Sequence, residues 1–449
     1  MPGPLMGPLF SSPGMRQVWS DRGRLQALLD FEAGLARAEA KVGVIPQRAA
    51  EVVSRLCRAE SFDVEAIGRA GAESGNLAIP LVARLTALVA AKDRGAAGYV
   101  HWGATSQDAI DTGLVLQIRQ GLGALEEDAD RLVRALVGLA GRHAATPMVG
   151  RTWLQHAVPI TFGLKVAGWL QATLRRRGQL RRAGHAALVV QLGGAAGTLA
   201  ALGEKGPAVA RALAAELALD VPELPWHAHR DRLADLGTAL GVLVGTLGKI
   251  ARDVSLLAQT EVGEASEAAA SGRGGSSSMP HKRNPVACAV ALSAAARAPG
   301  LVATLLAAMP QEHERGLGGW HAEWETLPEL FLLTSGALER LAAALGGLLV
   351  APERMRSNLE MSLGLVMSES VGMALAPFLG REGAHALVET ACRRSMEEGR
   401  HLRDVLGEDA GVGAHLGREA LQRLFDPETQ LRASERLVRE VLARLEEED

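Results

Sequence analysis

The chain has 449 residues, 48% of them hydrophobic and 22% charged, with a net charge of -3. That balance suits a globular protein with a large core and excludes the basic footprint of a nucleic-acid binder. Glycine is abundant at 51 residues, while aromatics reach only 3% with a single tyrosine. A sandwich or barrel wants more β-branched and aromatic side chains, so the composition predicts helices packed closely on small residues.

The first ten residues, MPGPLMGPLF, carry no basic stretch and no long apolar run, so no signal peptide is expected. Shorter helices are expected up to about residue 107. Beyond them proline divides the chain: none falls between Pro80 and Pro147, Pro159 and Pro207, or Pro225 and Pro280. Proline inside a helix costs about 3 kcal/mol, so long helices are expected in these gaps. In the first gap Leu114, Ile118, Leu122, Leu125, Leu132, Leu136 and Leu139 sit at helical spacing. In the third, Leu233, Leu236, Leu240, Leu243, Leu247, Ile250, Val254 and Leu257 alternate steps of three and four, a coiled-coil-like seam. A helix over residues 232–264 would be about 50 Å long. Gly237, Gly241, Gly245 and Gly248 lie beside the seam. Each weakens the helix by about 1 kcal/mol, which makes sense where another helix backbone comes close.

A seam this long is expected to be completed by other copies of the chain. The resulting expectation is an all-α fold in three parts: an N-terminal helical domain over 1–107, a central long-helix bundle for oligomerisation over 108–356, and a C-terminal helical domain over 357–449. The acidic end, Glu446–Asp449, reads as a solvated fray. The longest uncharged runs, 236–248 and 298–311, fall short of the roughly 18 apolar residues of a membrane helix, and the second contains Pro299 and Pro310. No membrane or nucleic-acid partner is expected.

Cys57, Cys288 and Cys392 are scattered, which excludes a disulfide framework or a cysteine zinc site and points to a reducing cytoplasm. His227, His229 and Asp231 have metal-ligand types but follow Pro225 in a turn without further ligands, so no metal is expected. The Gly-rich run 191–197 follows no strand and is not read as a dinucleotide loop. Arg175–Arg177 with Arg181 and Arg182 reads as a solvated face.

The segment 271–285, SGRGGSSSMPHKRNP, carries the chemistry. It is rich in helix breakers, so it is a loop between helical stretches. Its serines, Lys282 and Asn284 offer hydroxyl, cation and amide donors, a set suited to an anion such as a carboxylate developing into an enolate dianion. A solvated Gly/Ser linker is the alternative on composition alone.

Residues 275–285, GSSSMPHKRNP, closely resemble the signature of the fumarase/aspartase superfamily. Two further stretches come in the expected order. Residues 101–112, HWGATSQDAIDT, resemble its first substrate-binding region, and residues 151–161, RTWLQHAVPIT, its second. The resemblance implies a homotetramer with a twenty-helix core, no cofactor, and active sites assembled from three regions on three subunits. It implies that Ser276 is the acid/base at the carbon alpha to a carboxylate, and that Lys282 and Asn284 stabilise the aci-carboxylate. A serine hydroxyl does this only when N–H groups and a cation surround the alkoxide. Thr105 and Ser106 match carboxylate ligands. Thr152 and Gln155 match polar substrate contacts, Ser277 and Met279 go with them as substrate-binding residues, and Thr161 is a further candidate contact.

One departure chooses among the superfamily's activities. Where amine and hydroxyl lyases carry a histidine in the second region, this chain has Trp153. An indole N–H gives up no proton at neutral pH, and general acid catalysis is worth roughly 10²–10⁴-fold. A carboxylate leaving group departs unprotonated, because its acid has a pKa near 4. The expected reaction is therefore that of the superfamily's cycloisomerase branch. It interconverts 3-carboxy-cis,cis-muconate and 4-carboxymuconolactone in protocatechuate (beta-ketoadipate) breakdown. Residues 75–80, GNLAIP, resemble the same branch.

The substrate would be a trianion, so cations are needed. Lys282, Arg151 and Arg315 are candidates, with His281 and Arg283 beside them. Arg315 reads equally as an exposed helix-surface residue. His156, three residues past Trp153, either replaces the missing acid, hydrogen-bonds substrate or caps a neighbour. On a helix the two would share a face. His101 either orients the Thr105–Ser106 turn or packs. Two other readings remain open: an adenylosuccinate- or argininosuccinate-type lyase releasing fumarate, and a non-catalytic helical scaffold.

Overall fold

The computed structural model describes residues 3–268, 274–275, 278–279 and 281–448, with side chains to 445. Ser276 and Ser277 lie outside the described residues. Among those described, eighteen α-helices form the fold, with two small antiparallel two-stranded sheets. The class is all-α, as expected.

The helix of the first proline gap runs Ser106–Arg142. Leu114, Ile118, Leu125, Leu132, Leu136 and Leu139 are buried along it. The seam helix runs Asp231–Leu257, shorter than the expected 232–264. The physical reason lies just past the last seam residue. Gly263 takes a φ of +62°, a region that disfavours a Cβ, and the chain turns so that the Glu264 N–H returns to the Leu257 carbonyl at 2.9 Å. Glu264 then leads into a strand, Ala265–Ser266, paired with Leu349–Val350.

The chain divides into two interleaved compact units. The first comprises Met1–Ala129, Arg175–Gly248 and Val290–Glu339, and the second Asp130–Leu174, Lys249–Ala289 and Arg340–Asp449. In the first unit the glycine stripe has the role expected of it. A Cβ at Gly237 would collide with Leu305, at Gly241 with Val302 at 2.5 Å, and at Gly248 with Ala295 at 2.6 Å. The pairing runs antiparallel, so side chains of the helix Val286–Ala308 fill the space that the missing Cβ atoms leave on the seam helix. Gly245 meets nothing.

In the second unit Val371, Leu375, Val388, Leu402, Val405, Leu406 and Leu421 form a C-terminal helical core. A smaller cluster joins Val149 to Leu359, Val366 and Met367.

Two expectations need correction. Proline does not always mark a helix end: Pro299, Pro328 and Pro377 lie inside the helices Val286–Ala308, Gly319–Gly346 and Ser368–Glu398. The last of these also contains Gly380, which leaves helical geometry at φ +71°. Second, counting uncharged runs understated apolar length. Asp231–Leu257 and Val286–Ala308 are each long and apolar enough to cross a membrane by length and composition, because one or two charges do not remove a helix from that class.

Candidate active site

In the first unit the expected carboxylate ligands Thr105 and Ser106 stand where the helix Ser106–Arg142 begins. Asp108 builds this corner. Its fully buried carboxylate accepts four bonds. Oδ2 takes the N–H groups of Thr105 at 2.9 Å and Gly194 at 3.0 Å, and Oδ1 takes Gly193 N–H at 2.9 Å and His227 Nε2–H at 2.7 Å. The Gly-rich segment is thereby tied to the Thr105–Ser106 turn. Gly194 is required there: its φ is +68°, and a Cβ would sit 3.1 Å from the Gly103 carbonyl.

Arg315 joins the same corner. Its Nε donates to Gln107 Oε1 at 3.1 Å and a terminal nitrogen to the Ala195 carbonyl at 2.9 Å. Gln107 in turn donates to Asp111 and to the His227 carbonyl. Beneath them Arg230, fully buried, holds Asp111 at 2.8 Å and Glu323 at 2.5 Å, with Trp226 stacked 4.7 Å from its guanidinium. Burial works against that charge, but the carboxylates of Asp111 and Glu323 outweigh it and raise the guanidinium above its ordinary value. His101 takes a φ of +57° and its Nδ1 lies 2.6 Å from Glu32. Burial opposes its protonation, yet the Glu32 charge prevails and raises it. His101 thus stands two residues from Gly103 on a bond to Glu32, rather than on apolar packing alone.

In the second unit the second region is a β-hairpin and not a helix. Pro147–Thr152 pairs with Gln155–Thr161 through a two-residue turn, Trp153-Leu154, both at positive φ. This is the primed turn geometry that matches strand twist, normally filled by Asn or Gly. Trp153 is 97% exposed at the tip and Leu154 80%. Thr152 and Gln155 flank them, also exposed. Trp153 and His156 therefore share no helical face. His156 instead pairs across the hairpin with Arg151. Burial first, then the neighbouring Arg151, hold its imidazole below the ordinary range, so it is neutral at pH 7. Thr161 is no surface contact: it is buried and its hydroxyl accepts Leu164 N–H at 3.1 Å, capping the next helix.

Arg151 is engaged internally. Its two terminal nitrogens reach Glu264 at 2.8 and 2.7 Å, and Glu264 also accepts from Asn358. The signature segment lies just beyond. Gly275 bridges to Arg283, Asn284 N–H donates to the Gly274 carbonyl at 2.9 Å, and Lys282 N–H to the Met279 carbonyl at 3.0 Å. Met279 is 42% exposed. Lys282, Asn284, His281 and Arg283 line a cleft of about 700 Å³ with Gln259, Glu267 and Val350. No hairpin residue is among the described residues that line it.

The structure thus groups the expected residues in three places: Thr105, Ser106 and Arg315 at one corner, the hairpin residues at another, and Lys282 with Asn284 along a cleft. Asp108, Glu264 and Glu267 were missed in the sequence. Asp108 had a legible signal, since Thr105-x-x-Asp108 has capping-box spacing. Glu264 had none, because its partner lies far away in the chain.

The family model described as "Lyase" matches residues 10–300, and one described as "Adenylosuccinate lyase C-terminus" matches 364–441. A "3-carboxy-cis,cis-muconate cycloisomerase" of Pseudomonas aeruginosa is 57% identical, over 97% of this chain and 95% of the relative. A protein of the same name from Bradyrhizobium diazoefficiens is 53% identical over 99% and 98%. The crystal structure of 3-carboxy-cis,cis-muconate lactonizing enzyme from Pseudomonas putida superposes with a TM-score of 0.93 at 50% identity, covering 98% of both chains. With these matches spanning nearly its full length, the chain belongs to the lyase family of the fumarase/aspartase superfamily.

Proposed function

We propose that this chain interconverts 3-carboxy-cis,cis-muconate and 4-carboxymuconolactone, an intramolecular lyase reaction in protocatechuate breakdown that uses no cofactor. The observation that carries the reading beyond the relatives' names is the hairpin. It presents Trp153 to solvent where amine and hydroxyl lyases carry a histidine, and burial with Arg151 lowers the His156 imidazole, so the hairpin is poorly suited to protonate an amine or hydroxide leaving group. In the lactonising direction a substrate carboxylate oxygen bonds to the conjugated alkene. The displaced electron pair moves toward the second carboxylate, and the carbon alpha to it takes one proton. Opening reverses each step, and the ring carboxylate leaves as an anion. Ser276 is assigned the proton transfer. Lys282 and Asn284 are assigned the charge on the aci-carboxylate, and Thr105 and Ser106 a carboxylate at the head of their helix.

Thr152, Trp153, Gln155, Ser277 and Met279 are assigned to substrate binding. Arg151, His156 and Arg315 remain assigned to the same shell, the two arginines acting mainly through the partners they hold.

The working form is proposed to be a homotetramer with shared sites. The helix Val286–Ala308 has one charged residue, Arg297, yet Ala289, Ala296, Ala303, Leu306 and Ala307 face outward. An apolar face of that extent needs cover. A Trp-Leu hairpin tip in open solvent needs it too. The three cysteines are free thiols, which suits a cytoplasmic setting.

Purified protein incubated with the triacid should abolish its conjugated-diene absorbance, and Ser276→Ala should lose at least about 10²-fold in turnover with oligomer size unchanged. No absorbance change from an intact tetramer would sink the reading. The C-terminal match to adenylosuccinate lyases favours one other activity, and fumarate release from adenylosuccinate would decide for it.

A further inference from the structure

We infer that Glu267 is a positioning residue for the signature segment: its carboxylate closes the base of the loop and fixes where Lys282 and Asn284 stand. The kinetic part of this inference rests on the function proposed above.

The helix Val286–Ala308 begins directly after Pro285, which has no side-chain acceptor to offer the helix's first N–H groups. Glu267 supplies it from outside. Its Oε2 accepts Ala287 N–H at 3.1 Å and its Oε1 accepts Cys288 N–H at 3.0 Å. The Cys288 thiol bonds the same carboxylate. Burial first, then the Glu267 charge, push that thiol well up, so it stays protonated and donates. Glu267 is therefore bonded to the helix start that follows the signature segment, at Ala287 and Cys288.

A second clamp lies just inside the first. Asn284 N–H is held by the Gly274 carbonyl, and the Asn284 carbonyl accepts Val286 N–H at 2.9 Å. Gly274 sits at φ +72°, and a Cβ there would approach the Asn284 carbonyl to 2.9 Å. Asn284 is thus fixed between the Gly274 contact and the capped helix start.

Glu267 also lines the cleft that holds Lys282 and Asn284. A free carboxylate there would repel an anionic substrate. This one is only 9% exposed and faces the positive end of a helix, so its charge is already answered. It acts through the loop it closes and touches no substrate.

The test compares Glu267→Gln and Glu267→Ala with the parent tetramer. Glutamine keeps one acceptor and places an NH2 against the second N–H. Alanine removes both acceptors. Turnover should fall in the order Glu, Gln, Ala, by about 10²-fold for alanine, because a misplacement of 1 Å in a catalytic group has that scale. KM should change less than kcat. Hydrogen exchange should quicken by about tenfold at Ala287, Cys288 and Asn284, while the Pro147–Thr161 hairpin keeps its protection. Exchange needs no substrate, so it judges the clamp even if the parent turns nothing over; that result would sink the proposed function alone. A folded Glu267→Ala with parental kcat, or faster exchange spread evenly over the whole second unit, would overturn the inference. If the alanine variant does not fold, the glutamine variant carries the same readouts.

Discussion

Arg151 commits both terminal nitrogens to the carboxylate of Glu264, which is fully buried and also bonded to Asn358. An arginine that heads a substrate-binding motif in the sequence here fastens the Trp153 hairpin to the segment leading into the signature loop. Breaking a buried pair from one side leaves the other charge uncompensated, at a cost of about 3–5 kcal/mol. Arg151→Ala should therefore lower the urea midpoint strongly. An unchanged midpoint with a raised KM would mean that Arg151 serves substrate directly.

Asp108 predicts a different signature. Its four acceptor bonds join Thr105, Gly193, Gly194 and His227. An asparagine in its place would turn an NH2 toward groups that themselves donate, and bonds to a charged acceptor are worth about 1.5–3 kcal/mol each. Asp108→Asn is expected to raise KM about tenfold, because the Thr105–Ser106 turn loses its anchor. Titrating substrate against variant and parent under one set of conditions measures it. An unaltered KM would detach Asp108 from the carboxylate corner.

The long helices were legible because helix periodicity is local. Leu233 to Leu257 could be read straight from the spacing, and the glycines beside them correctly announced a close neighbour at Leu305, Val302 and Ala295. The hairpin was not legible. Trp153 and Leu154 adopt positive φ with side chains that disfavour it, so no turn residue announces the reversal. Pairing between Pro147 and Thr161 decides it instead, against local preference. The three motif segments were readable as resemblance. Of the carboxylates that position them, Asp108 was readable from its spacing to Thr105, while Glu264 was not, because Glu264 and Arg151 meet only once the chain has folded.

His156 yields a prediction about proton transfer. Burial and Arg151 keep it neutral at pH 7, and a neutral imidazole is a poor proton donor. His156→Asn should keep turnover within about tenfold of the parent, against the 10²–10⁴-fold loss that follows removal of a general acid. The pH profile of kcat should also lack a limb near neutrality that disappears in the variant. Its disappearance would make His156 the acid after all.

Glu39 should make stability depend on pH. It is fully buried on the helix Asp21–Val42, and among the described residues neither of its oxygens finds a hydrogen-bond partner. Burial, with the Glu32 charge behind it, pushes its carboxyl up to about 8 from an ordinary 4.5. Below the ordinary value both folded and unfolded chains hold the proton, and Glu39 costs nothing. Between there and about 8 the folded chain keeps a proton that the unfolded chain has released, so rising pH favours unfolding. Past the folded value the cost levels off. Glu39→Gln removes this group's titration, and its Tm should gain on the parent from pH 5 to about pH 8 and level off above that. Thermal melts of both proteins across that range measure the difference, and a gap that stays constant with pH would show that Glu39 is not the titrating group.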